Sequence, residues 1–186
     1  MAIRKAVVGL GNPGQRYART RHNLGFMAVD RYLSELASPA RSVRCHHADA
    51  VRTDSALIGK PTTYMNRSGH AVLELMERFQ ILPEECLIVY DDVDLPFGKL
   101  RARPRGGPGS HNGIASVIEQ AQTKDFPRLR LGIASEPMPT DLVGFVLSPF
   151  TPEERDDLDA YLDRVAEAID AFVAHDIDAV MNRFNG

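Results

Sequence analysis

The residues Ile3-Arg-Lys-Ala-Val-Val-Gly-Leu10 run directly into Gly11-Asn12-Pro13-Gly14, and this junction carries the first clear fold signal in the chain of 186 residues. A short apolar run that ends at a turn rich in glycine and proline is typical of a buried β-strand. Similar short apolar runs alternate with longer helical patterns along the rest of the chain, which indicates an α/β domain. The sequence therefore predicts a strand over residues 3–10 of an α/β fold.

Outward from this strand, hydrophobic periodicity predicts the remaining elements. Leu24, Met27 and Leu33 recur at helical spacing. Thr151 precedes Pro152 and two glutamates, which together form a strong helix start. The predicted helices are 23–37, 68–79, 112–122, 152–175 and a short one ending at residue 183; the further predicted strands are 43–52, 56–60, 87–90, 99–105 and 129–134. No repeat or long linker separates these elements, so we expect residues 1–186 to form a single domain.

The composition, 44% hydrophobic and 25% charged residues, is that of an ordinary globular protein. Its two cysteines, Cys45 and Cys86, exclude a disulfide framework and a cysteine-rich zinc site. The apolar run near the N-terminus is too short for a signal peptide, and no run approaches the ~18 apolar residues of a membrane span. We therefore expect a cytoplasmic protein that does not associate with membranes.

The formal net charge of −3 hides an asymmetry along the chain. Residues 1–135 carry a net charge of +6, and residues 136–186 carry −9. The distribution predicts a basic face on the main body and an acidic C-terminal helix. The acidic part is also explained by an ordinary solvated helix surface.

The segment Gly9-Leu-Gly11-Asn-Pro-Gly14 matches the G-x-G-x-x-G pattern of dinucleotide-binding loops. Two features disfavour that function. Pro13 removes a backbone N–H that a phosphate would use. The residues that follow Gly14 are polar and basic, whereas a dinucleotide loop leads into a closely packed helix. A dinucleotide oxidoreductase remains an alternative, which a spectrum of bound nicotinamide or flavin would reveal.

A histidine and a group of carboxylates are the candidates for acid–base chemistry. His22 follows three nearby arginines and precedes Asn23, so it could serve as a base beside an anionic substrate, although a lone histidine is usually structural. Asp91, Asp92 and Asp94 follow an apolar strand, at the edge where α/β sheets place their sites. Metal binding would need further ligands at suitable spacing. Orienting a histidine requires only one carboxylate.

Basic and polar segments indicate an anionic partner. Lys99, Arg101, Arg103 and Arg105 share parity, so on a strand they line one face at about 6.6 Å intervals, which resembles the phosphate spacing of a nucleic acid. A charged, solvated edge strand is the alternative. The following Gly106-Gly-Pro-Gly109 offers backbone donors for a phosphate or carbonyl group, but no Walker lysine accompanies it.

Taken together, these segments resemble the bacterial-type peptidyl-tRNA hydrolase family. The match covers nearly all of the chain in family order and spacing. Two positions depart from the family pattern: Ser110 stands where glycine is usual, and Arg103 where a phosphate-binding lysine is often found. The matching segments are Gly9–Gly14, Tyr17, Thr20–Asn23, Thr63–Asn66, Asp91–Pro96, His111–Gly113, Arg128–Ile133 and Val143–Leu147.

The resemblance implies a monomeric α/β protein with a single domain, in which a twisted, mixed and mostly parallel sheet is flanked by helices. It implies no metal and no cofactor. The implied reaction is hydrolysis of the ester bond of peptidyl-tRNA, that is, of an N-blocked aminoacyl-tRNA, which releases the peptide and frees the tRNA. A non-catalytic RNA-binding relative with the same fold is the main alternative, and it would have no need of the candidate catalytic residues.

The resemblance also implies roles for individual residues. His22 would be the general base that activates water, and Asp91 would orient its imidazole. Asn12 would distinguish N-blocked from free aminoacyl substrates. The tRNA end and the peptide would be contacted by Tyr17, Tyr64, Asn66 and Asn112, and tRNA phosphates by Arg103 and Arg130.

Overall fold

Strands and helices alternate along the chain. The structure is a computed structural model that describes residues 4–186. Its strands are β1 (Ala6–Gly9), β2 (Arg41–Val43), β3 (Ala48–Arg52), β4 (Leu57–Pro61), β5 (Cys86–Pro96), β6 (Leu100–Arg103) and β7 (Arg128–Ala134). Its α-helices are α1 (Leu24–Glu35), α2 (Ser68–Phe79), α3 (Asn112–Ala121), α4 (Leu142–Val146), α5 (Pro152–Ala174) and α6 (Ile177–Phe184).

The strands within residues 4–186 form one seven-stranded sheet in the order β2-β3-β4-β1-β5-β7-β6. The four central strands, β4, β1, β5 and β7, are parallel to one another. Antiparallel pairs complete both edges, with β2 and β3 on one side and β6 on the other. The expected mixed sheet is therefore confirmed, and its parallel part lies at the centre.

Both faces of the central sheet are covered by helices. On β5, Leu87 and Val89 point to one face and pack in the core that contains residues of α1, α5 and α6. Ile88 and Tyr90 point to the other face and pack with residues of α2 and α3. A strand that is buried on both faces reads as a continuous apolar run, which is why this segment was recognisable in the sequence. None of the helices in the described range has the length and apolar character needed to cross a membrane.

Three elements differ from the sequence-based expectation. The strand predicted over 43–52 is two strands, because the Glu74 carboxylate on α2 accepts the backbone N–H groups of His46 and His47 and fixes a turn there. Strand β5 continues beyond residue 90 to Pro96, because its last residues still pair with β7. Helix α4 was not predicted; it has only five residues and begins at an Asp141 cap. The predicted start of the first strand at Ile3 lies outside the described residues.

Helix α1 lies so close to the sheet that two glycines are required at the contact. A Cβ atom on Gly9 would lie 2.2 Å from the carbonyl oxygen of Gly25, and one on Gly25 would lie 2.4 Å from that of Val89. Gly14, in contrast, has open space around it. The first α-helix begins at Leu24, ten residues beyond Gly14, whereas a dinucleotide-binding loop leads directly into its helix.

We predict that Gly25→Ala destabilises the protein by about 1–3 kcal/mol or more, because the added methyl group must push α1 away from β1 and β5. Urea unfolding at pH 7 measures the change. Gly107→Ala is the matched control, since a Cβ at this exposed glycine meets no heavy atom within 4 Å. Equal stability of both variants would show that the helix can shift at no cost.

Candidate active site

A cleft of about 430 Å³ opens at the carboxyl end of β5. Its walls come from β5, from β7 and the edge strand β6, from the glycine loop at residues 106–110 and from α4. Of the nine site residues that the resemblance implies, five border this cleft: His22, Asp91, Arg103, Asn112 and Arg130. Segments that are far apart in the chain therefore meet where the topology of a parallel sheet predicts a site.

The other four candidates do not border this cleft. Tyr17 and Tyr64 contact each other edge-to-face, with ring centroids 6.4 Å apart. Tyr64 is 60% exposed and Asn66, two residues later, is also exposed. Asn12 is buried and is hydrogen-bonded to the backbone of the same segment, at Met65. These four residues thus form a second group of candidates beside the cleft.

His22 is paired with the buried carboxylate of Asp91. It lies in a short 3-10 turn immediately before α1, and its Nδ1 atom is 2.9 Å from Oδ2 and 3.0 Å from Oδ1 of Asp91. The Asp91 side chain is 1% exposed. A carboxylate is an acceptor, so the neutral imidazole donates its proton at Nδ1 and keeps a lone pair at Nε2. This is the tautomer that a general base requires.

A second histidine donates to the same carboxylate. The Nε2 atom of His111 is 3.0 Å from Oδ1 of Asp91. Its Nδ1 atom caps α3 by accepting the backbone N–H groups of Gly113, at 3.1 Å, and Ile114, at 3.3 Å. Because Nδ1 is occupied as an acceptor, the proton of the neutral ring must be on Nε2, from where it is donated to Asp91. Both ring nitrogens of His111 are therefore engaged, and the orientation of the ring is fixed.

The two histidines determine the charge state of Asp91. Burial of the carboxyl group raises its pKa, but the positive charges of the two imidazoles in their protonated forms and the N–H groups that both donate outweigh this effect. The pKa of Asp91 is therefore held well below its ordinary value. Asp91 is a carboxylate throughout the physiological pH range.

The cluster of His22, Asp91 and His111 also has donor types that bind metals, and one ligand atom from each lies within 4.8 Å of the others. The cap on α3 argues against that use. A metal on Nε2 of His111 would displace its proton, and the only other place for the proton is Nδ1, which already accepts two backbone N–H groups. The cluster fits the orientation of a base better than the coordination of an ion.

Asn12 is held so that its amide nitrogen remains available. Its side-chain oxygen accepts the backbone N–H of Met65 at 2.7 Å. Its backbone forms a reciprocal pair with the side chain of Asn23, through contacts of 2.8 and 2.9 Å. Because the oxygen is occupied, Nδ2 is the group that can donate to a ligand. Asn23 adjoins His22 in the chain, so it couples the Asn12 loop to the turn that carries the candidate base.

Arginines share one face of the sheet edge. Arg101 lies directly opposite Arg130, and Arg103 lies opposite Arg128, in the antiparallel pair β6–β7. Residues that are opposite each other, or two apart on a strand, point to the same face. The predicted shared face therefore extends over β6, which ends at Arg103. Arg103 and Arg105 border the cleft, whereas Lys99 and Arg101 lie outside its lining.

Arg130 differs from Arg103 in its pairing. Its Nε atom donates to the Asp92 carboxylate, which neutralises part of its charge. This hydrogen bond contributes to a pKa of Arg130 above the ordinary value, although burial acts in the opposite direction. Within residues 4–186, Arg103 forms no ion pair, so its full charge is available to a ligand.

The wall formed by α4 is fixed by the residue that precedes His22. The guanidinium of Arg21 is buried, pairs with Glu154 at 2.7 Å and donates to the hydroxyl group of Ser148 at 2.7 Å. It also lies over the ring of Phe145, with 4.2 Å to the centroid. Arg21 thereby ties α4 and the start of α5 to the turn that carries the histidine. The exposed apolar residue Val143 of α4 lines the cleft.

The sequence indicates His22 and Asp91 but does not reveal their connection through His111. The available signal was a histidine immediately before a predicted helix, the position of an N-cap. Its partner Asp91 is 20 residues away in the chain, and only the packing of α3 beside β5 brings the two together.

A histidine oriented by a carboxylate, at the side of a basic cleft in an α/β sheet, defines a class of hydrolytic enzyme that activates water next to an anionic substrate. Comparisons with known proteins narrow this class. The family model described as peptidyl-tRNA hydrolase matches residues 6–186. The chain therefore belongs to the peptidyl-tRNA hydrolase family.

Individual relatives support the same assignment. The chain is 47% identical over 183 residues to a peptidyl-tRNA hydrolase of Chloroflexus aggregans, with 96% of this chain and 97% of the relative covered. It is 43% identical to one of Gloeobacter violaceus, with 96% and 92% covered. The crystal structure of peptidyl-tRNA hydrolase from Acinetobacter baumannii superposes with a TM-score of 0.89 at 31% identity, covering 100% of this chain and 96% of that one.

We predict that Asp91→Asn changes the acid sensitivity of folding. The native carboxyl group stays ionised to a lower pH than it does in the unfolded chain, where its pKa is about 3.9. Its stabilising contribution is complete above that value and is lost as the pH falls towards the native pKa. The free energy of unfolding of the wild type minus that of the variant should therefore fall between pH 5 and pH 2.5. If urea unfolding gave the same free-energy difference at every pH, the lowered pKa of the Asp91 carboxyl group would be contradicted.

Proposed function

We propose that this enzyme hydrolyses the ester bond between the peptide and the terminal ribose of peptidyl-tRNA, with His22 as general base. The observation that carries this proposal is the pairing of His22 Nδ1 with the buried Asp91 carboxylate, which leaves Nε2 with a lone pair beside the basic cleft. A protein that only bound RNA would gain nothing from a buried carboxylate held between two histidines, and burying such a charge is costly.

The reaction then follows from the positions of the protons. His22 Nε2 takes a proton from a water molecule as the water oxygen attacks the ester carbonyl. Asp91 stabilises the imidazolium ion that forms. The tetrahedral intermediate collapses, and the bond from the carbonyl carbon to the ribose oxygen breaks. The imidazolium returns its proton to that oxygen, giving a peptide carboxylic acid and a free tRNA hydroxyl group. The cycle leaves His22 neutral and uses no metal or cofactor.

Asparagine side chains supply the polar contacts around the ester. The free Nδ2 of Asn12 donates to the substrate, and the fixed position of this group gives selectivity for an N-blocked aminoacyl chain. Asn112, which borders the cleft at the start of α3, contacts the tRNA end or the peptide. Tyr17, Tyr64 and Asn66 form an adjacent surface for the same parts of the substrate.

The tRNA phosphates meet the arginine face of β6 and β7, mainly through Arg103 and Arg130. The acidic helix α5 packs on α1, where Asp159 and Asp163 pair with Arg31, so its charge lies on the other side of the sheet from this face. This separation reconciles a net charge of −3 with binding of a polyanion. The proposal includes a monomer of one domain, residues 1–186, that acts in the cytoplasm.

We predict that His22→Ala lowers kcat by at least about 100-fold, the typical contribution of a positioned general base. The affinity for tRNA should change little, because the arginine face is intact. The assay measures release of the acyl amino acid from N-acetyl-aminoacyl-tRNA, with tRNA binding measured separately. His46→Ala, at a histidine outside the cleft, is the control and should retain full activity. A near-normal kcat for His22→Ala would show that another group is the base.

We predict a strong preference for N-acetyl-aminoacyl-tRNA over the same aminoacyl-tRNA with a free amine. Asn12→Asp keeps the oxygen that accepts the Met65 N–H but replaces the donor Nδ2 with a second acceptor. It should therefore reduce the preference by about tenfold or more, the effect of losing one well-formed hydrogen bond and leaving its partner unsatisfied. Equal hydrolysis of both substrates by the wild type would indicate a general esterase.

A further inference from the structure

We infer that the glycine loop, residues 106–110, together with the buried guanidinium of Arg128 behind it, binds the RNA phosphate nearest to the reacting ester. This inference rests on the proposed function, because it takes RNA as the substrate. This anion subsite is separate from the exposed arginine face and differs from it in composition. Its elements are one buried cation without a carboxylate partner and a loop whose backbone N–H groups are free.

Arg128 is a buried cation that lacks an anion. The residue is 2% exposed, and within residues 4–186 no carboxylate lies within ion-pair distance of it. Its terminal nitrogens donate to the carbonyl oxygens of Gly107 and Lys124, both at 3.1 Å, and its guanidinium lies over the Phe126 ring at 4.2 Å. The Nε atom is buried and has no hydrogen-bond partner. The Tyr90 side chain also interacts with the guanidinium. None of these partners is a carboxylate, and a buried charge is stabilised by pairing with an anion.

The loop in front of Arg128 presents backbone donors. The backbone of Gly106 lies against the guanidinium, since a Cβ atom there would be 3.7 Å from Cζ of Arg128. The N–H groups of Gly107, Gly109 and Ser110 have no acceptor in the described part of the chain. A Cβ atom on Gly107 or Gly109 would meet nothing within 4 Å, so a ligand can approach this backbone closely. Gly109 and Ser110 are consecutive donors, and Gly109 has a left-handed backbone with φ of 56°. Successive free N–H groups at such a turn form a concave anion site.

The position of the loop indicates which phosphate it binds. Residue 110 is followed immediately by His111, whose ring donates to Asp91. A phosphate on these N–H groups is therefore adjacent to the imidazole–carboxylate cluster, where the ester reacts. The nearest phosphate to that ester is the one on the 5′ oxygen of the terminal nucleoside. Phosphates further along the RNA are then left to Arg103 and Arg130 on the open face.

Chemical shifts of the wild-type protein test the site without any substitution. Adenosine and adenosine 5′-monophosphate are titrated separately, and the backbone amide signals of Gly107, Gly109 and Ser110 are followed. We expect these signals to move with the monophosphate and not with adenosine, and the monophosphate to bind about tenfold more tightly, as expected for charge-assisted hydrogen bonds. Identical responses to both ligands, or shifts confined to the arginine face, would overturn the inference.

A substrate pair extends the test to catalysis. The two substrates are N-acetyl-aminoacyl esters of adenosine and of adenosine 5′-monophosphate, and the readout is the ratio of their kcat/KM values. We expect a ratio of about ten in the wild type and about one in Arg128→Gln, which removes the charge but keeps a side chain of similar shape. Arg41→Gln removes a charge from β2, at the opposite edge of the sheet, and should keep the wild-type ratio.

The outcomes of these assays distinguish a failure of the proposed function from a failure of the phosphate subsite alone. If N-acetyl-aminoacyl-tRNA is not hydrolysed, the proposed function fails. If it is hydrolysed but the 5′ phosphate brings no advantage in the wild type, only the phosphate subsite is wrong. If Arg128→Gln lowers both rates equally and keeps the ratio near ten, Arg128 serves only to hold the loop, and the subsite is likewise wrong.

Discussion

The buried carboxylate of Asp91, shared between two histidines, is the interaction on which the site depends. It joins three segments that are distant in sequence: the turn before α1, the middle of β5 and the first turn of α3. An unpaired charge at this depth would be strongly unfavourable. The cost is offset only when both imidazoles are in place, so the geometry of the base and the packing of the two helices are determined together.

The sequence predicted those parts of the fold and the site that depend on local pattern. The strand before Asp91 was recognisable because burial on both faces requires an uninterrupted apolar run. The His22–Asp91 pair followed from the position of the acids at a strand end together with the family resemblance. The group of Asn12 and Tyr64, beside the cleft rather than in it, depends on how two loops pack and was not visible in either segment alone.

The parts that were missed depend on long-range contacts. Arg128 and Arg130 have the same strand parity, and nothing in the sequence distinguishes the buried residue from the half-exposed one. Arg128 is the buried one because the carbonyl oxygens of Gly107 and Lys124, in two loops, accept hydrogen bonds from its guanidinium. Backbone acceptors have no sequence signature. The same reason explains the split of the predicted strand 43–52, which a carboxylate on another helix enforces.

The cap on α3 has a consequence for proteins damaged or stressed in the cell. His111 can hold Asp91 only while the first turn of α3 is wound, because that turn supplies the two backbone N–H groups that fix its ring. Helix ends are the first parts of a structure to open. Fraying there would release the ring to change its protonation and turn away, while β6 and β7 kept their arginines. With the proposed roles of His22 and of the arginine face, a partly opened molecule would lose its chemistry before its attraction to RNA, and would occupy tRNA without processing it.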